Sequence, residues 1–137
     1  MNRMNNPDHS SRSRSVVVIV EDDPAVRSAL KFSLEIEGFK VRTYASGIDL
    51  LDARDVCVGG CLVIDQRMPE MSGLDLIATL RDRLISVPAI LITSHPNAWV
   101  RKRAADAHVP IIEKPLLGNA LVDRIRQAFA PGTENHP

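Results

Sequence analysis

Four short apolar runs in this chain stop on residues that can do chemistry. Val16-Val17-Val18-Ile19-Val20 runs into Glu21-Asp22-Asp23. Cys61-Leu62-Val63-Ile64 ends on Asp65. The run from Ala89 to Ile92 ends on Thr93-Ser94, with His95 close behind. Ile111-Ile112 leads through Glu113 to Lys114-Pro115. Carboxylates, hydroxyls and an ammonium therefore occupy equivalent places after separate hydrophobic segments. Solubility alone does not ask for that register, because solvating charges can sit anywhere on a surface.

The chemistry is coherent if those ends converge. Clustered carboxylates raise one another's pKa unless a cation lies among them. Oxygen donors without Cys or His select a hard cation such as Mg²⁺. A carboxylate can also act as a nucleophile toward phosphorus and form an aspartyl-phosphate. Lys114 can hold a phosphoryl oxygen as a point charge, and Thr93 can donate a hydroxyl hydrogen bond to another. Asp23 has a second reading, as a carboxylate favoured at a helix N-terminus.

The elements that must position these groups alternate along the chain. Residues 16–20 form a β-branched run of the kind buried on both faces of a sheet. Pro24 suits the first turn of a helix carrying Val26, Leu30 and Leu34, and Gly38 ends it. Lys40 to Tyr44 reads as a half-exposed strand. Ser46, with Asp49 three residues on, caps a short helix through Leu50 and Leu51. Residues 61–65 are a third strand, and Ser72-Gly73 opens a helix with Leu74, Ile77, Leu80 and Leu84. Residues 89–92 are a fourth strand, followed by a helix with Trp99 and several alanines. A short strand at Ile111-Ile112 precedes a last helix with Leu117, Leu121, Ile125 and Ala128. Five strands alternating with five helices predict an α/β fold, a doubly wound parallel sheet. In such sheets ligands bind beyond the carboxyl ends of the strands, where the residues named above lie.

Taken in order, IVEDDPAVR, VIDQRMPEMSG, ILITSH and IIEKP resemble the receiver domain of two-component response regulators over about residues 15–130. The resemblance implies the flavodoxin-like (βα)₅ fold with strand order 2-1-3-4-5. It implies that Asp65 is the phosphoacceptor, served by Lys114 and Thr93. It places Mg²⁺ on Asp22 and Asp65, on Glu21 through water, and on the main-chain carbonyl of Arg67. Met68-Pro69 and Gly73 match the loop after the phosphoacceptor, and Pro115 would follow a cis peptide bond. His95 and Ser94 are positioned as modulators. The implied donor is a sensor histidine kinase. A histidine phosphotransfer protein or a downstream effector follows as a further partner, and pairing of two copies through the fourth helix, fifth strand and fifth helix is a further expectation. Three features depart from the family pattern. Ile111 stands where a switch aromatic is usual, and Ala107-His108-Val109-Pro110 replaces a glycine-containing turn. Leu116 also stands where Phe is common.

Composition narrows the alternatives. The chain has 137 residues, 17 basic and 17 acidic, which suits one domain and gives no basic excess for direct nucleic-acid binding. No apolar run approaches the roughly 18 residues that span a bilayer, and the N-terminus has no apolar signal core. A cytoplasmic protein without membrane contact is the expectation. Residues 1–14 and 131–137 read as flexible tails around the domain, with no room for an output domain after Phe129. Cys57 and Cys61 read as free thiols, and the basic run Arg101-Lys102-Arg103 as a solvated face beside an exposed Trp99. Strand one leads into acids and not into a glycine-rich phosphate loop, so nucleotide binding is disfavoured. A hydrolase of the aspartyl-phosphate type needs an acid two residues past the nucleophile, where this chain has Arg67. The remaining competitor is an adaptor that keeps the fold and does not use phosphorylation.

Overall fold

The computed structural model describes residues 16–53 and 60–130. The expected tails and Cys57 lie outside those residues. Five strands, β1 (Val16–Val20), β2 (Lys40–Tyr44), β3 (Cys61–Asp65), β4 (Ala89–Thr93) and β5 (Ile111–Glu113), alternate with five helices. The helices are α1 (Pro24–Ile36), α2 (Gly47–Asp52), α3 (Gly73–Asp82), α4 (Ala98–Asp106) and α5 (Ala120–Phe129). All strand pairings are parallel and the sheet order is β2-β1-β3-β4-β5, as expected.

Alternation along each strand divides the core in two. Val17, Ile19, Val63, Ile90 and Ile92 face α1 and α5 and pack with Leu30, Leu34, Leu121 and Ile125. Val18, Val20, Leu62, Ile64 and Leu91 face α2, α3 and α4. The central strands β3 and β4 are buried at every position, which is why they read as unbroken apolar runs. The edge strand β2 is only partly covered.

Helix starts follow the caps the sequence offers. Asp23 accepts from the backbone N–H groups of Ala25 and Val26, Ser46 from Asp49, Ser72 from Asp75 and Asn97 from Val100. Each satisfies a donor that the first turn leaves unpaired.

Three helices end in the same left-handed turn. Gly38 closes α1 with φ 99°, Leu84 closes α3 with φ 63° and His108 closes α4 with φ 59°. In each, the following residue reaches back to the last turn: Phe39 to Leu34, Ile85 to Leu80 and Val109 to Ala104. The glycine-containing turn that the sequence lacks after α4 is thus made all the same, with His108 in the left-handed position.

Two apolar assignments are corrected. Leu84 does not extend the buried stripe of α3, because the helix ends at Asp82 and Leu84 is 91% exposed. Leu117 does not belong to the last helix, because Gly118 turns the chain with φ 68° before α5 begins, leaving Leu117 76% exposed. A non-glycine residue in the left-handed region costs about 1–2 kcal/mol, partly offset by the extra freedom glycine has when unfolded. Leu84→Gly is therefore expected to stabilise the fold by about 1 kcal/mol and to raise the melting temperature by roughly 3–5 °C. Thermal unfolding followed by circular dichroism measures this; an unchanged or lowered midpoint counts against the strain argument.

Candidate functional site

The carboxyl ends of β1, β3, β4 and β5 bring together most of the residues singled out in the sequence. Register sets this: Val20 lies beside Ile64, Asp65 beside Ile92, and Thr93 beside Glu113. Oxygens of Glu21, Asp22 and Asp65 lie within 4.8 Å of one another. Glu21 and Asp65 are buried, while Asp22 is exposed at the rim.

Lys114 is the cation of the cluster. Its Nζ stands 3.4 Å from Oε1 of Glu21 and 3.4 Å from Oδ2 of Asp65. The backbone N–H of Lys114 donates to the Thr93 carbonyl at 2.9 Å, which ties the end of β5 to the end of β4. The Lys114–Pro115 peptide is cis, as the resemblance implied. One ammonium cannot neutralise three carboxylates. Burial first, and then the neighbouring Asp65, push the Glu21 carboxyl up to about 7, against the lowering by the Asp23 backbone N–H and the Lys114 charge.

The other residues of the site divide by what they touch. The backbone N–H of Arg67 donates to Oδ1 of Asp65 at 3.3 Å and fixes that carboxylate, while the Arg67 side chain is exposed. Thr93 is buried, and its hydroxyl donates to the Ser94 carbonyl at 3.4 Å instead of to Asp65. His95 is exposed with φ 47°. It lines, with Arg67, Met68, Thr93 and Ser94, a cleft of about 530 Å³ between the loops that follow β3 and β4.

Two supporting residues were not legible in the sequence. Gln66 is buried, its side-chain oxygen accepts from the Leu74 N–H at 2.9 Å, and its carbonyl accepts from Gly73 at 3.1 Å. It locks the loop after Asp65 onto the start of α3. Gly73 is needed there for space: a Cβ at that position would stand 2.8 Å from the Asp65 carbonyl oxygen. Arg27 donates to the carbonyl of Glu21 at 2.8 Å and holds the end of β1. Neither Gln66 nor Arg27 has a type or spacing that distinguishes it from an ordinary polar residue.

The donor set suits a hard cation. It is all oxygen, compact, and richer in negative charge than the one lysine offsets. The carboxylates, the lysine and the buried threonine are the arrangement of one family in particular, and the sequence as a whole agrees. The profile of the response regulator receiver domain matches residues 17–126. The chain belongs to that family.

Relatives and solved structures place this receiver domain more closely. It is 37% identical over 113 residues to the transcriptional regulatory protein FixJ of Rhizobium meliloti, covering 82% of this chain and 55% of that protein. It is 34% identical over 125 residues to TdiR of Thauera aromatica, covering 88% of this chain and 53% of that protein. The chain thus spans about half the length of these curated relatives. The crystal structure of FixJ-N superposes with a TM-score of 0.76 at 38% identity, covering 83% of this chain and 92% of that one. The structure of the response regulator StyR gives 0.74 at 33% identity, covering 88% of this chain and 61% of that one. Phosphorylation and Mg²⁺ binding at an acidic pocket are characteristic of receiver domains, which interact with histidine kinases. No helix among the described residues is long and apolar enough to cross a membrane.

The basic run on α4 is a paired, solvated face. Arg101 meets Glu113 at 2.8 Å, Lys102 meets Asp106 at 3.2 Å, and Arg103 meets Asp75 at 3.0 Å. Trp99 is exposed, with the Arg103 guanidinium 5.2 Å from its ring centroid. Ile111 is half-buried against the core beneath α3 and α4. Cys61 is a buried free thiol whose pKa burial pushes up to about 12, so it is unreactive.

Proposed function

We propose that this receiver domain is a phosphorylation switch in which Asp65 takes a phosphoryl group from the phosphohistidine of a sensor kinase. The observation that carries the reading is Lys114 standing between Glu21 and the buried Asp65 at 3.4 Å from each. A carboxylate oxygen of Asp65 forms the new P–O bond as the P–N bond to the kinase histidine breaks. The electron pair of that bond stays on the imidazole nitrogen. The Arg67 N–H holds one Asp65 oxygen and so leaves the carboxylate aimed in one direction. Lys114 exchanges its carboxylate contact for a phosphoryl oxygen. The Thr93 hydroxyl, on the Ser94 carbonyl in this state, turns to donate to another.

Asp22 and Asp65 would hold Mg²⁺ directly, with Glu21 contributing through water and Arg67 through its carbonyl. When bound, the ion offsets charge on the incoming phosphoryl group. His95 and Ser94, on the wall of the cleft beside Thr93, tune access to the group. The protein turns over no separate substrate. It signals by presenting an altered surface to an effector or by passing the group to a histidine phosphotransfer protein.

Incubation with acetyl phosphate and Mg²⁺ tests this. The expected product carries one added phosphoryl group, stable in acid and labile in base, and does not form when a chelator removes the metal. A protein that stays unmodified under these conditions is the adaptor of the competing reading.

A further inference from the structure

Gln66 is 8% exposed, and its side-chain amide offers an acceptor oxygen at one end and an NH₂ donor at the other. The oxygen is used, because it accepts from the Leu74 N–H at 2.9 Å. Only an oxygen can meet that donor, so the amide lies one way round and Nε2 is its other end. Among the described residues Nε2 has no acceptor. A buried donor without an acceptor is costly, and folded proteins rarely keep one without a use for it. Gln66 lines the cleft of about 530 Å³ that Thr93 and Ser94 also line.

The sheet sets these groups side by side. Asp65 is in register with Ile92, and the Gln66 N–H donates to the Ile92 carbonyl at 2.9 Å, so Gln66 follows beside Thr93. Both side chains leave the sheet on one face. Gln66 lies two residues past Ile64 and Thr93 two past Leu91, and Ile64 and Leu91 both pack toward α3 and α4. Near the unused donor is an acceptor that is loosely held. The Ser94 carbonyl takes the Thr93 hydroxyl at 3.4 Å, long for a hydrogen bond between oxygens. Its peptide leads into His95, whose φ of 47° is a left-handed conformation that costs a non-glycine residue energy. Reorienting that peptide can relieve the strain.

We propose that Gln66 is a positioning residue of the switch, whose Nε2 takes over the Ser94 carbonyl when the Thr93 hydroxyl leaves it for the phosphoryl group. The inference rests on the phosphorylation switch proposed above. Before phosphorylation the carbonyl has its donor and the amide has no acceptor. Afterwards Thr93 is engaged by a phosphoryl oxygen, and the carbonyl would be orphaned without Gln66. Exchanging one donor for the other leaves all three groups bonded. The amide therefore favours the phosphorylated conformer by one hydrogen bond, about three- to tenfold in population. It also draws the loop after β4 toward the start of α3, where Gln66 is anchored through Leu74.

Beryllofluoride, a mimic of the phosphoryl group on a carboxylate, tests this on the whole chain in Mg²⁺. Its affinity, followed by fluorine NMR, is expected to be about three- to tenfold weaker in Gln66→Met than in wild type. Methionine keeps the length of the side chain and has no donor, but it also loses the bond to Leu74. A double-mutant cycle separates the two roles. In Thr93→Val the Ser94 carbonyl has no hydroxyl in either state, so Gln66 can serve it in both. In that background Gln66→Met should change the affinity by less than about twofold. An equal loss in both backgrounds means that Gln66 only holds the start of α3, and overturns the proposal. The wild-type chain gives a second readout that needs no variant. The Gln66 side-chain amide, assigned through its own backbone, should show one proton shifted downfield and exchanging more slowly once beryllofluoride is bound. An amide that does not respond in a chain that binds beryllofluoride overturns the proposal and leaves the phosphoacceptor reading standing. A chain that binds no beryllofluoride and takes nothing from acetyl phosphate overturns both.

Discussion

Asparagine in place of Asp65 is expected to abolish phosphoryl uptake while making the fold more stable. Loss of uptake follows because a side-chain amide is no substitute for a carboxylate nucleophile. The other two carboxylates are placed differently: Glu21 is the most deeply buried of the three, and Asp22 lies at the exposed rim. The gain in stability follows from the charge count. Glu21, Asp22 and Asp65 crowd within 4.8 Å, with Lys114 touching two of them. Removing one charge leaves Lys114 paired with Glu21 and relieves the repulsion that adds to burial in raising the Glu21 pKa. The amide oxygen of the introduced asparagine can still accept from the Arg67 N–H. A gain of about 1–2 kcal/mol in chelator, or roughly 3–8 °C in melting temperature, is expected. Intact-mass measurement after acetyl phosphate treatment checks the first part, and thermal unfolding the second. Undiminished modification of the variant would falsify the assignment of the acceptor. A less stable variant would show that the carboxylates are better compensated than their distances indicate.

How much of this was legible in the sequence depended on whether a property is carried by residue type or by the meeting of distant segments. The sheet was legible because β3 and β4 are buried on both faces, and only an unbroken apolar run satisfies that. The helix starts were legible because Asp23, Ser46 and Ser72 are side chains that bond their own backbone a few residues on. The site itself was legible because each member ends a strand. Gln66 and Arg27 were not, since their partners are backbone groups whose position depends on the folded loops. Leu84 and Leu117 misled because an apolar residue at helical spacing counts only while the helix lasts. Backbone turns at φ 63° and φ 68° ended the pattern at places the residue types did not mark consistently.

Glutamine in place of Glu21 is expected to remove a pH dependence from the stability of the metal-free protein. The Glu21 carboxyl is raised from 4.5 to about 7 by burial first, with the Asp65 charge adding to it. The folded state therefore keeps this proton across a range in which the unfolded chain releases it. Below about pH 4.5 both states are protonated and the group makes no difference. As pH rises from there toward 7 the unfolded state gains from ionisation and stability falls. Above about 7 the loss is complete, on the order of 3 kcal/mol. Glutamine cannot ionise, and its amide oxygen can still accept from the Asp23 N–H. The variant should match wild type near pH 4.5 and exceed it by about 2–3 kcal/mol at about pH 8. Urea unfolding of both proteins in chelator at several pH values isolates the effect, because every other titrating group is common to the two. Parallel curves for wild type and variant would refute a raised Glu21. Mg²⁺ adds a second readout with the same sign logic. A cation that favours the ionised cluster must stabilise wild type more at about pH 8 than at about pH 5, and it must stabilise the glutamine variant less. The charge crowding that weakens the metal-free fold is thus the same property that would let the cluster bind a cation.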